Sequence, residues 1–590
     1  MADNRGFKID SGRKREGGRE KAVFDVTDSL SQKSLPYTSL DKYRRCKFHA
    51  SSMQPQSPKH LPFPIAKDRY RLSLLIQAIA LLIVLGWWFA RSVPFSLGVQ
   101  AGSGSSASHM LPCVSYSPFR QGEINPFNPA ASVTPAQIEI DLRILKTRTN
   151  CIRTYGLSQG LDAVPAVVQK LGMRMKLGVW LARDAAQNRL ELDRGIALAR
   201  QYNDVVDLLI VGNEVLLRRE LSPDALGKVL AYARLHSPVP VTYADVWEFW
   251  LRHASLAQHV DVVTVHILPY WEDDPVAVND AVTHVFSIAA KVRQQFAGWP
   301  VWVGETGWPA VGRQRAGAVP GKVEQSRFVS ELHARAISLN PNVNYNVIEA
   351  FDQPWKRSFE GAMGGYWGLF DQFGQARVAL SGVVVEDGQW WRGPLGAMVG
   401  AVAAAILAAL ARVRAAPIVL AGALLGALVP VQWLMIQQWD RSPREEALSA
   451  LLFVISAAVT LVALCSKFSK IVDIARIVVL FAASTAALVL LLDARYRPFA
   501  WWWFLAPTAA LLARQVGVWD SAFKVSNEAR LLCLVLVGCA VLIAINEGWR
   551  NAQALSYCAL LLMLAATAAL HSRAKTSAAN NAAGAQSSVV

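Results

Sequence analysis

The sequence predicts an α/β fold, a parallel (β/α)8 TIM barrel, joined to an α-helical multi-span membrane domain. Three observations support this prediction. The chain has 590 residues, of which 53% are hydrophobic, and this is too apolar for a wholly soluble protein. Apolar stretches long enough to cross a bilayer occur at residues 72–90 and repeatedly from Leu395 onward. Between them, short apolar runs alternate with amphipathic segments, as in βα repeats.

The barrel prediction depends on eight apolar runs that are separated by helical patterns. Eight buried strands with crossover helices in one domain match a closed parallel barrel better than an open sheet. The runs are LPCVSY (111–116), CIRTY (151–155), MKLGVW (175–180), VVDLLIVGNE (205–214), VPVTYADV (239–246), VDVVTVHI (260–267), VWVGET (301–306) and VNYNVIEAFD (343–352). The helical segments are 135–146, 161–171, 189–202, 224–235, 276–296 and 322–338.

Composition divides the whole chain into six parts. A disordered basic tail (1–71) is followed by a transmembrane anchor (72–90) and a linker (91–109), whose GSGSSASH stretch is typical of a flexible spacer or of a cloning scar. The barrel domain (110–390), a membrane domain of about seven helices (395–571) and a second disordered tail (572–590) complete the chain. The spans predicted after the barrel are 395–413, 416–437, 447–465, 475–492, 498–513, 531–546 and 554–571.

The net charge of +16 is distributed in a way that favours a membrane orientation. Clusters of Lys and Arg precede the first apolar segment and recur in alternate connections of the C-terminal part. Under the positive-inside rule, this predicts cytoplasmic termini and a barrel on the other side. The tail lacks a recognisable nucleic-acid fold, so we expect contact with the lipid bilayer and none with nucleic acid. Few ionisable groups lie in mid-span, which favours an anchor or assembly surface over conduction.

The seven cysteines show no CxxC or Cys/His metal spacing. Only Cys113 and Cys151 fall in the barrel domain. A disulfide between them is an option if they face each other, and buried free thiols are the favoured interpretation. His266 is predicted to be a hydrogen-bonded histidine at a strand end, because no second ligand stands at metal spacing. The sequence therefore predicts neither a metal nor another cofactor.

Polar residues follow the fourth and seventh predicted strands. Asn213 and Glu214 end the run 205–214, and Glu305 lies near the end of the run 301–306. Catalytic groups of such barrels come from the carboxyl ends of strands, and two carboxylates about 5 to 5.5 Å apart are the equipment of a retaining glycosidase. Aromatic residues near the strand ends are candidate platforms for sugar rings: Tyr116, Tyr155, Trp180, Tyr243, Trp247, Tyr270, Trp271, Trp308 and Trp355.

The motifs VGNEV and GETGWP together resemble the signatures of glycoside hydrolase family 17, the β-1,3-glucanase and β-1,3-glucanosyltransferase family. IRTYG, HILPYW and IEAFDQPWK are also similar to its pattern, and the likeness covers about residues 110–375. The resemblance implies that Glu214 is the acid/base and Glu305 the nucleophile of a retaining mechanism. It implies that Asn213 binds the sugar 2-OH.

The same resemblance implies roles for further residues. Tyr116 and Tyr270 would line the subsite of the cleaved bond, and Tyr270 would steady Glu305. Glu349, Asp352 and Lys356 would orient the nucleophile, and a structural ion pair between Glu349 and Lys356 is the alternative. The complete set of predicted substrate-binding residues is Asn213, Tyr116, Tyr155, Trp180, Tyr243, Tyr270, Trp308, Glu349, Asp352 and Lys356.

A barrel of this kind fused to membrane spans is also similar to the NdvC-like membrane proteins that help to build periplasmic β-glucans in rhizobia. This resemblance implies a bacterial inner-membrane transglycosylase whose catalytic domain faces the periplasm. Its expected partners are a β-1,3-glucan donor, a β-glucan acceptor and a membrane glucan synthase. An endo-β-1,3-glucanase and a non-catalytic glycan-binding scaffold are the alternatives.

Overall fold

The computed structural model describes residues 66–98, 110–120, 124–128, 130–338, 343–466, 468–493, 496–516 and 526–569. Residues 1–65, 99–109 and 570–590 are outside the described residues. The predicted tails and most of the predicted linker fall on these segments. The described residues belong to one compact unit, which contains the barrel and the apolar helices.

Eight parallel strands, from Val114–Ser115 to Tyr345–Val347, close into a barrel in chain order. A separate antiparallel ribbon pairs Phe95–Leu97 with Gly382–Val384. The described strands are β1 (Phe95–Leu97), β2 (Val114–Ser115), β3 (Cys151–Arg153), β4 (Arg174–Val179), β5 (Val206–Asn213), β6 (Val241–Val246), β7 (Val262–His266), β8 (Val301–Thr306), β9 (Tyr345–Val347) and β10 (Gly382–Val384).

Helices follow most barrel strands, and a second group of helices follows the barrel. Those before or within the barrel part are α1 (Ala66–Ser92), α2 (Pro135–Leu145), α3 (Val164–Lys170), α4 (Ala185–Gln201), α5 (Pro223–His236), α6 (Trp247–Arg252), α7 (Val278–Gln295), α8 (Lys322–Ser338) and α9 (Arg357–Glu360). The later ones are α10 (Arg392–Leu410), α11 (Ala415–Trp439), α12 (Pro443–Cys465), α13 (Ser469–Leu492), α14 (Trp501–Val516), α15 (Asn527–Glu547) and α16 (Ala552–Ala569).

Each of the eight predicted runs overlaps one barrel strand, so the predicted fold is confirmed. Inside the barrel, Leu208, Ile210, Ala244 and Trp302 form a small cluster of their own, while the outer strand faces pack against the helices. Strands buried on both faces explain why the runs are continuously apolar and do not alternate.

The last predicted apolar run is longer than the strand it contains because the backbone changes its hydrogen-bonding partners. In the run 343–352, only Tyr345–Val347 is a strand. The backbone N–H of Glu349 donates to the Trp367 carbonyl at 3.1 Å, and that of Asp352 donates to the Phe370 carbonyl at 3.0 Å. A segment after the barrel therefore replaces β8 as the partner, which the apolar pattern did not indicate.

Cys113 and Cys151 form a disulfide, with their Cα atoms 4.5 Å apart. The expectation of free thiols is therefore wrong. The two residues come just before Val114 and Ile152, which are paired in the parallel strands β2 and β3. Since neighbouring strands lie about 4.8 Å apart, this register brings the two sulfur atoms within bonding reach. The pairing is a product of strand register, which the sequence spacing does not reveal.

Six described helices are long and apolar enough to cross a membrane: Asp68–Ser92, Arg392–Leu410, Ala415–Trp439, Pro443–Cys465, Ser469–Leu492 and Asn527–Glu547. Two of the predicted spans correspond to the shorter helices α14 and α16, which do not reach this length and composition. The first helix begins at Ala66, upstream of the predicted boundary at residue 72.

Small residues hold α10 and α11 together as a tight hairpin. A Cβ atom added at Gly400 would lie 2.1 Å from the Gly422 carbonyl oxygen, and one at Gly426 would lie 2.1 Å from the Gly396 oxygen. Glycines at these positions let two helix backbones touch, as is common between helices in a lipid environment. The hairpin is therefore packed too closely to accept larger side chains.

Candidate active site

The mouth of the barrel, at the carboxyl ends of the strands, brings the two predicted catalytic carboxylates together. Glu214 directly follows β5, and Glu305 is the penultimate residue of β8. One oxygen of each carboxylate lies within 4.8 Å of the other. The Glu305 side chain is 5% exposed and that of Glu214 is 23% exposed. One group thus lies deep in the mouth and the other lies nearer to solvent.

The backbone around Glu214 turns sharply out of the strand. Gly212 has a φ of 87° and Glu214 a φ of 52°. A Cβ atom at position 212 would lie 2.7 Å from Val215 Cγ2, so a side chain there is excluded. A left-handed conformation costs a non-glycine residue roughly 1–2 kcal/mol, and such strain is typical of functional sites. The turn is what directs the Glu214 carboxylate into the mouth.

Positive and hydrogen-bonding groups surround Glu305. Its Oε1 atom accepts hydrogen bonds from Arg153 Nη1 at 2.5 Å and from the Tyr155 hydroxyl at 2.9 Å. Burial by itself would raise the pKa of Glu305, but His266, Arg153 and Lys356 overcome this effect and lower it. The net result is a carboxylate that stays ionised although it is buried.

Arg153 is a site residue that the sequence analysis missed. Its side chain is fully buried, and its two Nη atoms donate to Glu305 and to the Asn213 side-chain oxygen. Its guanidinium also lies 4.5 Å from the Tyr155 ring centroid. A charged residue inside the buried run CIRTY was the available signal, because an arginine is almost never buried without partners.

His266 connects the two carboxylates. Its Nδ1 atom lies 2.9 Å from Glu214 Oε1, and its Nε2 atom lies 3.7 Å from Glu305 Oε1. These three residues offer ligand-type atoms that all lie within 4.8 Å of one another. The spacing argument failed to find this group because its members come from three different strands. The Arg153 guanidinium already holds Glu305 Oε1, so the donor set suits a hydrogen-bonded network better than a cation.

Glu349 and Lys356 form a buried ion pair beside this network. Lys356 Nζ lies 2.9 Å from both carboxylate oxygens of Glu349. Burial raises the pKa of Glu349 to about 7 even though Lys356 opposes the shift. Lys356 has a pKa raised to about 12, since its carboxylate neighbours outweigh its burial. The ammonium also helps to lower the pKa of Glu305, so the pair is both structural and electrostatically coupled to the mouth.

Asp352 has a different set of partners. It forms a salt bridge with Arg377 and accepts a hydrogen bond from the Gly368 N–H at 3.0 Å. Burial raises its pKa to about 7, with Arg377 as the main opposing group. These contacts hold the segment after β9, and they include neither Glu214 nor Glu305.

Three of the predicted tyrosines are buried and bind elsewhere. The Tyr116 hydroxyl donates to Asp141 of α2 at 3.0 Å, so this ring lies between the barrel and a helix. The Tyr243 hydroxyl donates to Asp245. The Tyr270 hydroxyl donates to the Arg313 carbonyl at 2.8 Å. The expectation that Tyr270 steadies Glu305 is therefore wrong, and Tyr155 makes that contact.

Two of the predicted substrate-binding tryptophans, Trp308 and Trp180, differ in exposure. Trp308 is fully buried, and its indole N–H donates to the Val319 carbonyl at 3.0 Å. Trp180 is 40% exposed and lies against the Arg218 guanidinium at 4.1 Å.

Trp355 belongs to a three-ring cluster that the sequence analysis did not find. Phe127 lies 5.5 Å from Trp355 and 4.6 Å from Phe359 between ring centroids, and both phenylalanines are more than half exposed. We call Phe127, Trp355 and Phe359 the aromatic cluster.

Comparisons with known proteins agree with this arrangement. The family model described as BtgE/BtgC glycoside hydrolase domain matches residues 113–368. The probable glucan endo-1,3-beta-glucosidase btgC of Aspergillus clavatus is 28% identical over 277 residues, which is 42% of this chain and 39% of the relative. The glucan 1,3-beta-glucosidase of Schizosaccharomyces pombe is 30% identical over 233 residues, or 37% of this chain and 72% of the relative.

One solved structure matches part of the chain. The crystal structure of glycoside hydrolase family 17 beta-1,3-glucanosyltransferase from Rhizomucor miehei is 25% identical, with a TM-score of 0.41 and coverage of 47% of this chain and 99% of that one. The chain spans only about two fifths of the btgC relative and nearly three quarters of the yeast relative. Because the yeast relative is 30% identical and is covered over 72% of its length, the chain belongs to the glycoside hydrolase family 17-like β-1,3-glucanases.

Proposed function

We propose that this protein is a membrane-anchored, retaining β-1,3-glucan transglycosylase that remodels, branches or elongates β-glucan. The observation that carries the proposal is the pair Glu214 and Glu305, with oxygens within 4.8 Å in one mouth. That separation is close to the roughly 5–5.5 Å of retaining enzymes and shorter than inverting enzymes require. The names of the curated relatives, which act on 1,3-β-glucan bonds, support the substrate class.

In the proposed mechanism, the ionised Glu305 attacks the anomeric carbon. Glu214 gives its proton to the departing glycosidic oxygen, and a glycosyl ester on Glu305 results. Glu214 then removes a proton from the hydroxyl of an acceptor glucan, whose oxygen displaces Glu305 and forms the new bond. Arg153 and Tyr155 hold the nucleophile in place, and the lowered pKa of Glu305 keeps it charged.

Asn213 is the proposed ligand of the sugar 2-OH. Arg153 donates to its side-chain oxygen, which fixes the amide plane and leaves the NH2 group to donate. A hydrogen bond to the 2-OH strengthens as the sugar gains oxocarbenium character, and this stabilises the transition state.

Transfer requires an acceptor sugar to compete with water for the glycosyl-enzyme. The aromatic cluster is a suitable surface, because aromatic rings bind the apolar faces of sugars. Trp355 is adjacent in sequence to Lys356, whose charge acts on Glu305. This adjacency supports a position of the cluster near the rim of the site.

A location outside the cytoplasm fits two further observations. The Cys113–Cys151 disulfide is typical of an oxidising compartment. Six helices suit a membrane location, and the Lys and Arg distribution favours cytoplasmic termini. We propose that the barrel, residues 110–390, faces the periplasm of a bacterial inner membrane, where a glucan synthase would supply donor or acceptor chains.

The second candidate is an endo-β-1,3-glucanase acting through the same residues. The name of the btgC relative, an endo-1,3-beta-glucosidase, specifically favours it. The chemistry differs only in the last step, in which water and not a sugar hydroxyl displaces Glu305.

The deciding experiment follows product length. The full chain, purified in detergent, is incubated with laminari-oligosaccharides, and the products are analysed by mass spectrometry and linkage analysis. Transfer yields products longer than the donor, whereas only shorter products would establish the hydrolase. Glu305→Gln serves as the inactive control, and Glu331→Gln, at an exposed residue of α8, serves as the matched active control. If wild type and Glu305→Gln gave the same products, the catalytic proposal would be wrong.

A further inference from the structure

The loop that leaves the nucleophile strand rests on the membrane domain. We call residues 307–321, between β8 and α8, the β8 loop. We call residues 547–553, from the last residue of α15 to the second residue of α16, the α15–α16 turn. The β8 loop begins two residues after Glu305. Its central residues contact the α15–α16 turn through hydrogen bonds and a salt bridge.

Nearly every polar atom of Gln314 forms a hydrogen bond with the α15–α16 turn. Its backbone N–H donates to Gln553 Oε1 at 3.0 Å, and its carbonyl accepts from Asn551 Nδ2 at 2.9 Å. Its side-chain amide donates to the Arg550 carbonyl at 2.9 Å and accepts from the Gln553 N–H at 3.3 Å. Gln314 is 5% exposed and Asn551 is fully buried. Such complete pairing of a buried amide fixes one position of the loop.

A buried salt bridge lies beside this contact. The side chains of Arg313 and Glu547 are 5% and 15% exposed. Glu547 also accepts from Asn551 Nδ2 at 2.8 Å, and the Arg313 guanidinium lies 4.7 Å from the Phe499 ring centroid. Two segments of the membrane domain, the α15–α16 turn and the chain at Phe499, thus meet at Arg313 of the β8 loop.

The contact continues into the loop that follows β7. The Arg313 carbonyl accepts from the Tyr270 hydroxyl at 2.8 Å. Arg315 donates to the Tyr270 carbonyl at 2.5 Å and lies 5.2 Å from the Trp271 ring centroid. That loop begins directly after His266. Through Arg313, the α15–α16 turn is therefore connected to both loops that leave strands β7 and β8.

We propose that the α15–α16 turn is a positioning element of the catalytic mouth, with Glu547 and Asn551 as positioning residues. They act through Arg313 and Gln314 and touch no substrate. The membrane domain then does more than anchor the barrel: it sets the shape of the cleft where long glucans bind. This inference rests on the proposed glucan chemistry for its activity readout, but not for its structural readout.

The test compares Glu547→Gln with wild type, both as full chains in detergent. We expect the KM for laminari-oligosaccharides to rise about threefold to tenfold and the ratio of transfer to hydrolysis to fall to a similar extent. The kcat for a small aryl β-glucoside, which occupies only the catalytic centre, should remain within about twofold. Glu446→Gln, at an exposed glutamate of α12, is the matched control and should match wild type.

A charge exchange separates positioning from loss of structure. Arg313→Glu alone should reproduce the Glu547→Gln phenotype, and Arg313→Glu with Glu547→Arg should recover at least part of it. Hydrogen exchange by mass spectrometry should show faster exchange in residues 308–317 of Glu547→Gln and unchanged exchange in the strands β2 to β9. This readout needs no turnover, so an inactive wild type would refute the proposed function and still leave the inference tested.

Two results would overturn the inference. One is unchanged exchange of the β8 loop together with wild-type kinetics in Glu547→Gln. The other is loss of exchange protection throughout the barrel, with all substrates affected equally, which would make the turn a general stabilising contact.

Discussion

The two ends of the barrel carry charged groups in very different arrangements. At the mouth, Glu305 contacts Arg153 and lies near His266 in one connected network. At the opposite end, Lys176 lies 4.0 Å from Asp207, beside a cavity of about 290 Å³ that Trp302 and Cys113 also line. This cavity lies at the end without the carboxylate pair. Connected charges, and not open volume, distinguish the candidate active site, in agreement with the general division of such barrels into a catalytic and a stabilising end.

The largest expected effect is the loss of activity in Glu305→Gln. The amide cannot act as a nucleophile, so kcat/KM on laminari-oligosaccharides should fall by about 10³-fold or more. Lys176→Met, at the other end, should stay within about twofold of wild type. If both variants were folded by circular dichroism and lost kcat/KM equally, the assignment of catalysis to the mouth alone would be wrong.

A smaller effect is expected for Arg153→Met. The guanidinium is one of the groups that lower the pKa of Glu305, and its loss should raise that pKa. A smaller fraction of Glu305 is then ionised at acidic pH, so the acidic limb of the kcat/KM profile should move to higher pH. The value of kcat/KM at the pH optimum should fall by about 10²-fold. Arg153→Lys keeps the charge and should show a smaller shift of the limb. An unmoved limb in Arg153→Met would contradict the assigned role.

The next effect concerns stability against pH. The pKa of Glu349 is raised to about 7 in the folded state, above its usual value near 4.3 when unfolded. The folded state therefore binds more protons, and stability should fall as the pH rises from about 4.5 to 7. Glu349→Gln should flatten this part of the curve of free energy of unfolding, measured by denaturant titration. Asp352 also has a pKa raised to about 7. In Glu349→Gln, the free energy of unfolding should therefore still fall with rising pH, but less steeply.

The smallest effect on activity is expected at the end opposite the mouth. Replacing both Cys113 and Cys151 by Ser removes a crosslink that closes 38 residues and should lower the free energy of unfolding by about 2–4 kcal/mol. Activity at 25 °C should stay within about twofold, because the disulfide is at the starts of β2 and β3. A large loss of kcat with an unchanged melting temperature would show that the two ends are coupled.

Sequence patterns were sufficient for the fold and for the two carboxylates. Eight apolar runs predicted eight strands, and the motifs around Glu214 and Glu305 placed both groups at strand ends. The same patterns were misleading for tyrosines: Tyr116 and Tyr270 follow their strands as Tyr155 does, yet they bind Asp141 and the Arg313 carbonyl. Which way a side chain points after a strand depends on local twist and loop course, and a linear pattern does not contain that information.

The sequence by itself determined which segments are apolar, which are helical or extended, and which residues have chemistry to offer. Only the tertiary structure decided which of these meet: the disulfide between Cys113 and Cys151, the buried Arg153 between Asn213 and Glu305, and the contact of Gln314 with the α15–α16 turn. The physical reason is that periodicity and propensity act over a few residues. Each of these contacts joins residues far apart in the chain, through strand register and the docking of one domain on another.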